Sequence, residues 1–252
     1  MNPDSMLDST NRRRFIKHFA ISSAVSMVGG KLWTARVLAD VGPLGEPLGR
    51  IRIKLSDYHP ALTNPFGSVR FRFAAIDGGT YPFALNRADE ATFYAVDTRC
   101  THEGCVVNPF VGASEGSMVC DCHQSEYNIA GEVVVGPALA NLRRYRVAYD
   151  GEDEVTVFIP GLDLSIRSVT VQQQTAAVIR LRLDFPTYPF ARYRVQYRQQ
   201  LTDTPIGVFF ATTPTGPATL TEIETTGLPQ TVYVDAGLPR GFFSVALVVE
   251  EA

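Results

Sequence analysis

The chain has 252 residues, 45% apolar and 19% charged, the balance of an ordinary globular protein of one or two domains. Its formal net charge of −3 is unevenly spread: residues 1–39 carry six Lys/Arg against two Asp/Glu, leaving 17 basic and 24 acidic groups for the rest. No basic patch remains downstream to neutralise a row of phosphates, which argues against nucleic acid as a partner.

In chain order, the first feature is NRRRFIKHFA, with Arg12 and Arg13 followed by Arg14, Phe15, Ile16 and Lys17. It resembles the twin-arginine export signal, with Asn11 standing where Ser or Thr is usual. The apolar stretch His18–Gly30 is 13 residues long; as a helix it would rise ~20 Å, short of the ~30 Å hydrocarbon core. VLAD follows, with Val37 and Ala39 placed to be read by a peptidase and Asp40 as the new N-terminus. Residues 1–39 are thus expected to be a twin-arginine signal peptide, against the plainer reading of a basic tail. That implies a bacterial periplasmic or exported protein, touching membrane only through a partner or an uncleaved leader.

Beyond residue 40 the apolar period is two. RIRIKL (50–55), SVRFRFAAI (68–76), TFYAV (92–96) and EVTVFI (154–159) are bounded by Gly, Pro, Asn and Asp and read as strands. Pro160-Gly161 reads as a boundary between a first domain, 40–160, and a second, 161–252. In the second, Ile179, Leu181 and Leu183 alternate with Arg180 and Arg182, and Tyr193, Val195 and Tyr197 with Arg194, Gln196 and Arg198. With IGVFFAT, ATLTEIE, QTVYVD and FFSVALVV these predict a β-sandwich, so the fold class is all-β. TTGLPQTVYV loosely resembles fibronectin type III modules. The sandwich lacks a titratable cluster and reads as a packing or docking module.

All four cysteines lie in CTHEGC (Cys100–Cys105) and CDCHQSEY (Cys120–Tyr127), with two of the four histidines. From the residues alone several chemistries compete. A zinc site can use Cys and His, although Cys-x-His is tight for one ion. A disulfide framework leaves both histidines idle. A Cys/His nucleophile would sit beside a second cysteine able to quench it. A [2Fe–2S] cluster can take two thiolates on one iron and two imidazoles on the other. His59 and His18 are assigned no role, and Trp33 falls in the leader.

C-x-H, then 17 residues, then C-x-x-H resembles the Rieske iron–sulfur family. The resemblance implies one [2Fe–2S] cluster per chain, with Cys100 and Cys120 on one iron and His102 and His123 on the other. It also implies a disulfide between Cys105 and Cys122, as in a subset of the family. CHQSEYNIAGEVVVGPALANL is similar to the run in cytochrome bc-type subunits where a Ser and a Tyr hydrogen-bond the cluster sulfurs and a Gly-Pro loop covers it; here these are Ser125, Tyr127, Gly136 and Pro137. Glu103 and Gln124 depart from the Leu and Gly common there, which bears on docking into an apolar quinol pocket.

The resemblance implies an electron-transfer subunit rather than a self-sufficient enzyme, and no His/His/carboxylate site offers substrate chemistry. Three functions compete. One is the iron–sulfur subunit of a quinol–cytochrome c reductase type complex, with a quinol-oxidising donor and a cytochrome c-type acceptor. Another is the small subunit of a periplasmic molybdenum oxidoreductase resembling arsenite oxidase. The third is a redox-sensing scaffold.

Overall fold

In a computed structural model the described residues are 23–28, 31–36, 48–76, 79–175, 178–237 and 241–251. The twin-arginine pair Arg12–Arg13 and the expected cleavage residues Val37, Ala39 and Asp40 lie outside them. Strands β1 (Ser23–Val28) and β2 (Lys31–Arg36) pair as an antiparallel hairpin. Among the described residues no helix is long and apolar enough to cross a membrane.

The first half is built on β3 (Leu48–Lys54), β4 (Ser68–Ile76), β5 (Gly79–Arg87) and β6 (Phe93–Asp97). After an excursion come β10 (Arg144–Tyr149) and β11 (Glu154–Pro160). The excursion carries three short strands, β7 (Met118–Cys120), β8 (Ser125–Tyr127) and β9 (Val133–Val135), forming a small antiparallel sheet of their own. In β3, Ile51 and Ile53 are buried while Arg50, Arg52 and Lys54 are exposed, the period-two pattern of a one-sided strand. β5 and β6 differ. Phe83, Leu85 and Ala95 enter the main core, whereas Ala84 and Val96 join a second cluster under the excursion. Buried on both faces, these strands lose alternation and read as plain apolar runs.

The second half contains β12 (Ser168–Gln174), β13 (Ile179–Phe185), β14 (Pro189–Arg198), β15 (Ile206–Val208), β16 (Phe210–Ala211), β17 (Ile223–Thr226), β18 (Gln230–Ala236), β19 (Phe242–Val248) and β20 (Glu250–Glu251). One sheet runs β12-β13-β18-β16; in the other β14 pairs with β15, β17 and β19. Leu181 and Leu183 on one sheet and Tyr193, Val195 and Tyr197 on the other are buried, as their alternation with arginines predicts. Two expected strands are corrected. IGVFFAT is not one strand: Val208 pairs with Val195 of β14, Phe209 is exposed, and Phe210 pairs with Val234 of β18, so the chain changes sheets within two residues. ATLTEIE forms a strand only from Ile223, with Leu220 making a single bridge to Phe210.

The halves are not insulated from one another. The main apolar cluster runs from Ile51, Phe71 and Val157 through Leu162 to Leu183, Tyr193 and Val245. After β19 the chain returns to the first half, where β20 pairs antiparallel with β4 and completes a seven-stranded sheet ordered β20-β4-β5-β6-β10-β11-β3. The architecture is all-β and antiparallel throughout.

Candidate metal centre

The site sits where β6 ends and where β7 turns into β8. Leaving β6, the Thr98 backbone amide and hydroxyl both donate to the Pro82 carbonyl, at 3.1 and 3.0 Å. Arg99 forks onto the buried Asp97 carboxylate, with Nη2–Oδ2 at 2.6 Å. The exit direction of the first loop is thereby fixed before Cys100 is reached. Two turns of the same design follow. The Gly104 amide donates to the Cys100 carbonyl and the Gln124 amide to the Cys120 carbonyl, both at 2.8 Å. Each turn ends on a left-handed residue, Gly104 at φ 79° and Gln124 at φ 58°. Glycine adopts that region freely; glutamine does so at a cost, here set against a hydrogen bond from its Nε2 to the Asp121 carbonyl.

These turns place the chemistry in two layers. Cys100 and Cys120 are free and buried, whereas His102 and His123 are exposed. The two imidazoles stand edge to face, ring centroids 4.7 Å apart, with their Nδ1 atoms 3.2 Å from one another. Outside this set, Cys105 and Cys122 are joined in a disulfide that ties the end of one loop to the middle of the other.

Among the described residues, the ligand atoms close enough to share one ion fall into two separate groups: Cys105, Cys120 and Cys122, and His102, Glu103 and His123. The first group is mostly consumed by the disulfide. A single tetrahedral ion needs mixed S and N ligands within bonding distance of one centre, at ~2.0–2.3 Å. Sulfur inside and nitrogen outside instead fits a group with two metal centres side by side.

Donors line the inner layer. The Tyr127 hydroxyl lies 3.3 Å from Cys100 Sγ and 3.1 Å from the Thr101 hydroxyl, and it accepts from the Thr101 amide. Burial pushes the Cys100 thiol up, but donation from Tyr127, the His102 amide, Cys120 and Ser125 outweighs it and holds the pKa below the ordinary thiol value. Burial and the neighbouring Cys100 push Cys120 the other way, upward. Such donors favour a charged sulfur. Tyr127, itself buried beside Cys100, is raised.

The 133–140 loop closes over this layer. Ala138 donates to Ser125 Oγ at 3.0 Å, and Thr101 Oγ1 donates to the Ala140 carbonyl at 2.5 Å. Gly136 and Pro137, exposed themselves, form its crest. Thr101 was not foreseen from the sequence, because nothing distinguishes a Thr between two ligands from a surface Thr. Asn86 was also missed. It is fully buried and donates from Nδ2 to the Ile129 carbonyl at 2.7 Å, while its Oδ1 accepts from Ser68. Its signal was present as a lone amide in the apolar run YPFALN.

Residues 70–146 match the family described as Rieske [2Fe-2S] domain, a span that ends before the sandwich begins. The cytochrome b6-f complex iron-sulfur subunit of Synechococcus elongatus is 39% identical over 116 residues, 46% of this chain and 61% of that protein. The chloroplastic cytochrome b6-f complex iron-sulfur subunit 1 of Nicotiana tabacum is 40% identical over 106 residues, 42% of this chain and 44% of that protein. The chain thus spans about half the length of these curated relatives. A solved structure, the plasma membrane Rieske protein PetC3 from Synechocystis PCC 6803, is 24% identical with a TM-score of 0.33, covering 42% of this chain and 97% of that one.

Proposed function

From a chain that carries a Rieske [2Fe–2S] domain over residues 70–146, we propose an exported electron-transfer protein, the iron–sulfur subunit of a respiratory complex of quinol–cytochrome c reductase type. Cys100 and Cys120 would hold the inner iron and His102 and His123 the outer one. The observation that carries this reading is the layering: two buried thiols beneath two exposed imidazoles whose Nδ1 atoms converge to 3.2 Å. When bound, such a cluster supplies a one-electron couple whose potential is raised by replacing two thiolates with imidazoles.

The chain's own residues do the rest. Tyr127 and Ser125 donate toward the Cys100 sulfur and so favour the more negative state. The 133–140 loop, held by Ser125 and Thr101, shields the inner layer from water. The exposed imidazole edges leave a short path to a partner. The His123 Nε2 already faces the Glu103 carboxylate at 3.7 Å. That polar flank supports a second reading, the small subunit of a molybdenum oxidoreductase, in which the tip meets a polar protein surface instead of an apolar quinol pocket.

Purified holoprotein, reduced with dithionite, is expected to give a Rieske-type electron paramagnetic resonance signal and about two irons and two acid-labile sulfides per chain. Colourless protein holding zinc would remove the reading.

A further inference from the structure

An open sheet ends in strands whose outer backbone groups lack a ladder partner, and folded proteins guard such edges against the addition of a foreign strand. Guards are visible at several edges here. β3 exposes Arg50, Arg52 and Lys54, and β4 is covered by β20. β15 and β16 are only three and two residues long, and β1 lies beside β19. β12 differs. It runs for seven residues, Ser168–Gln174, and among the described residues it pairs with β13 alone. From Ser168 to Ile179 the sequence holds no charged residue and no proline.

The strand also stands clear of the sandwich core. Every side chain from Thr170 to Thr175 is exposed, so both faces of this stretch are wet. In β13 beside it, Leu181, Leu183 and Phe185 are buried. The ladder skips Gln172, passing from the Val171–Leu181 pair to the Gln173–Arg180 pair. That bulge leaves Gln172 without a partner in β13, and it adds no charge that would repel an incoming strand. The cations at the two ends are matched within the chain, Arg167 by Asp163 and Arg180 by Asp235.

We propose that β12 is a dimerisation edge, which takes the β12 of a second copy of this chain antiparallel across a twofold axis. The two sheets ordered β12-β13-β18-β16 then join into one. Backbone bonds alone would admit any extended strand, and side chains choose the occupant. A charged peptide finds no opposite charge on β12, and an apolar one finds little to cover, since Val171 stands among Thr170 and three glutamines. A copy sets Thr, Val and Gln against the same residue types. Glutamine amides both donate and accept, so they bond their own kind, as in the ladders of stacked identical strands. The contact is self-complementary and closes at two copies. It gives the sandwich a role beyond packing, holding two electron-transfer lobes in one assembly. The proposal concerns the sandwich alone and does not depend on the reading of the metal centre.

Sedimentation velocity of the full-length holoprotein, over about a hundredfold range of concentration, tests this. A monomer–dimer equilibrium is expected. The double variant Val171→Lys/Gln173→Lys sets like charges across the twofold and should weaken self-association about tenfold or more. Thr219→Lys, exposed near the opposite edge of the same sheet beside the Leu220–Phe210 bridge, should leave it unchanged. Both variants alter exposed side chains, and an unchanged melting temperature verifies that each folds. Hydrogen exchange supplies a second readout: amides of Val169–Gln174 should slow as concentration rises, and those of β3 should not. A monomer at every concentration overturns the proposal. So does a dimer that tolerates both lysines, which would place self-association on another face.

Discussion

At the scale of single residues, Tyr127 and Ser125 place their hydroxyls beside the inner sulfur layer. Both are fully buried, so their hydroxyls have no competing water, and both bear on Cys100. A donor to a sulfur that gains negative charge is worth more in the reduced state than in the oxidised one. Tyr127→Phe and Ser125→Ala are each expected to lower the reduction potential by about 60 mV, the one-electron equivalent of a hydrogen bond of about 1.4 kcal/mol. Protein-film voltammetry measures this directly. An unchanged potential in both variants would mean that the hydroxyls serve only the loops, through Thr101 and Ala138. The C-x-H and C-x-x-H pattern is legible in the sequence because a shared metal group demands fixed spacing. Thr101 was hidden because its partners, Tyr127 and the Ala140 carbonyl, lie 26 and 39 residues away.

At the scale of elements, the lobe is an insertion between β6 and β10 and depends on its attachment to the sheet. Asn86 on β5 is the buried tie. Its amide holds the Ile129 carbonyl and contacts Met118 Sδ at 3.3 Å, while Ser68 donates to its oxygen and accepts from the Phe110 amide. Met118 in turn faces Tyr127 across β7 and β8. Asn86→Ala removes the donor to the part-buried Ile129 carbonyl and the acceptor for Ser68, which keeps its bond from the Phe110 amide, a loss of about 1–3 kcal/mol. Hydrogen exchange should show amides of β7 and β8 opening before those of β4 and β11; uniform loss across both sheets would deny Asn86 this local role. Sequence periodicity found β3, β4, β11 and the paired faces of β13 and β14, where one face is wet, whereas β6 stood out as a short apolar run of β-forming residues. It did not pick out β5, whose Pro82 interrupts the run and whose two faces are both buried. It joined β15 to β16, because the change of sheet at Phe209 leaves the residue types unchanged.

At the scale of the whole molecule, the question is whether the sandwich is a separable module. Gly161, at φ 80°, follows the last residue of β11 at the Pro160-Gly161 step where a boundary is expected. Contacts nevertheless cross it in both directions. Leu162 packs on Gly49 of β3 so closely that a Cβ there would meet it at 2.4 Å. On the sandwich side of the boundary the Tyr188 hydroxyl pins the start of the segment, donating to the Gly161 carbonyl at 2.8 Å and accepting from the Asp163 amide at 2.7 Å. β20 covers the edge of β4, which would otherwise present unpaired backbone groups. A junction made of a shared apolar cluster and a shared sheet should unfold as one unit. Calorimetry of the full chain is expected to give one transition, with calorimetric and van't Hoff enthalpies equal. A chain truncated after Gly161 should melt lower by about 5 °C or more, the shift expected for a loss of about 2 kcal/mol or more at this chain length, and should bind hydrophobic dye at the bared β4 edge. Two separate transitions, with a truncated chain that keeps its melting temperature, would make the sandwich an independent domain and return residue 161 to a simple linker.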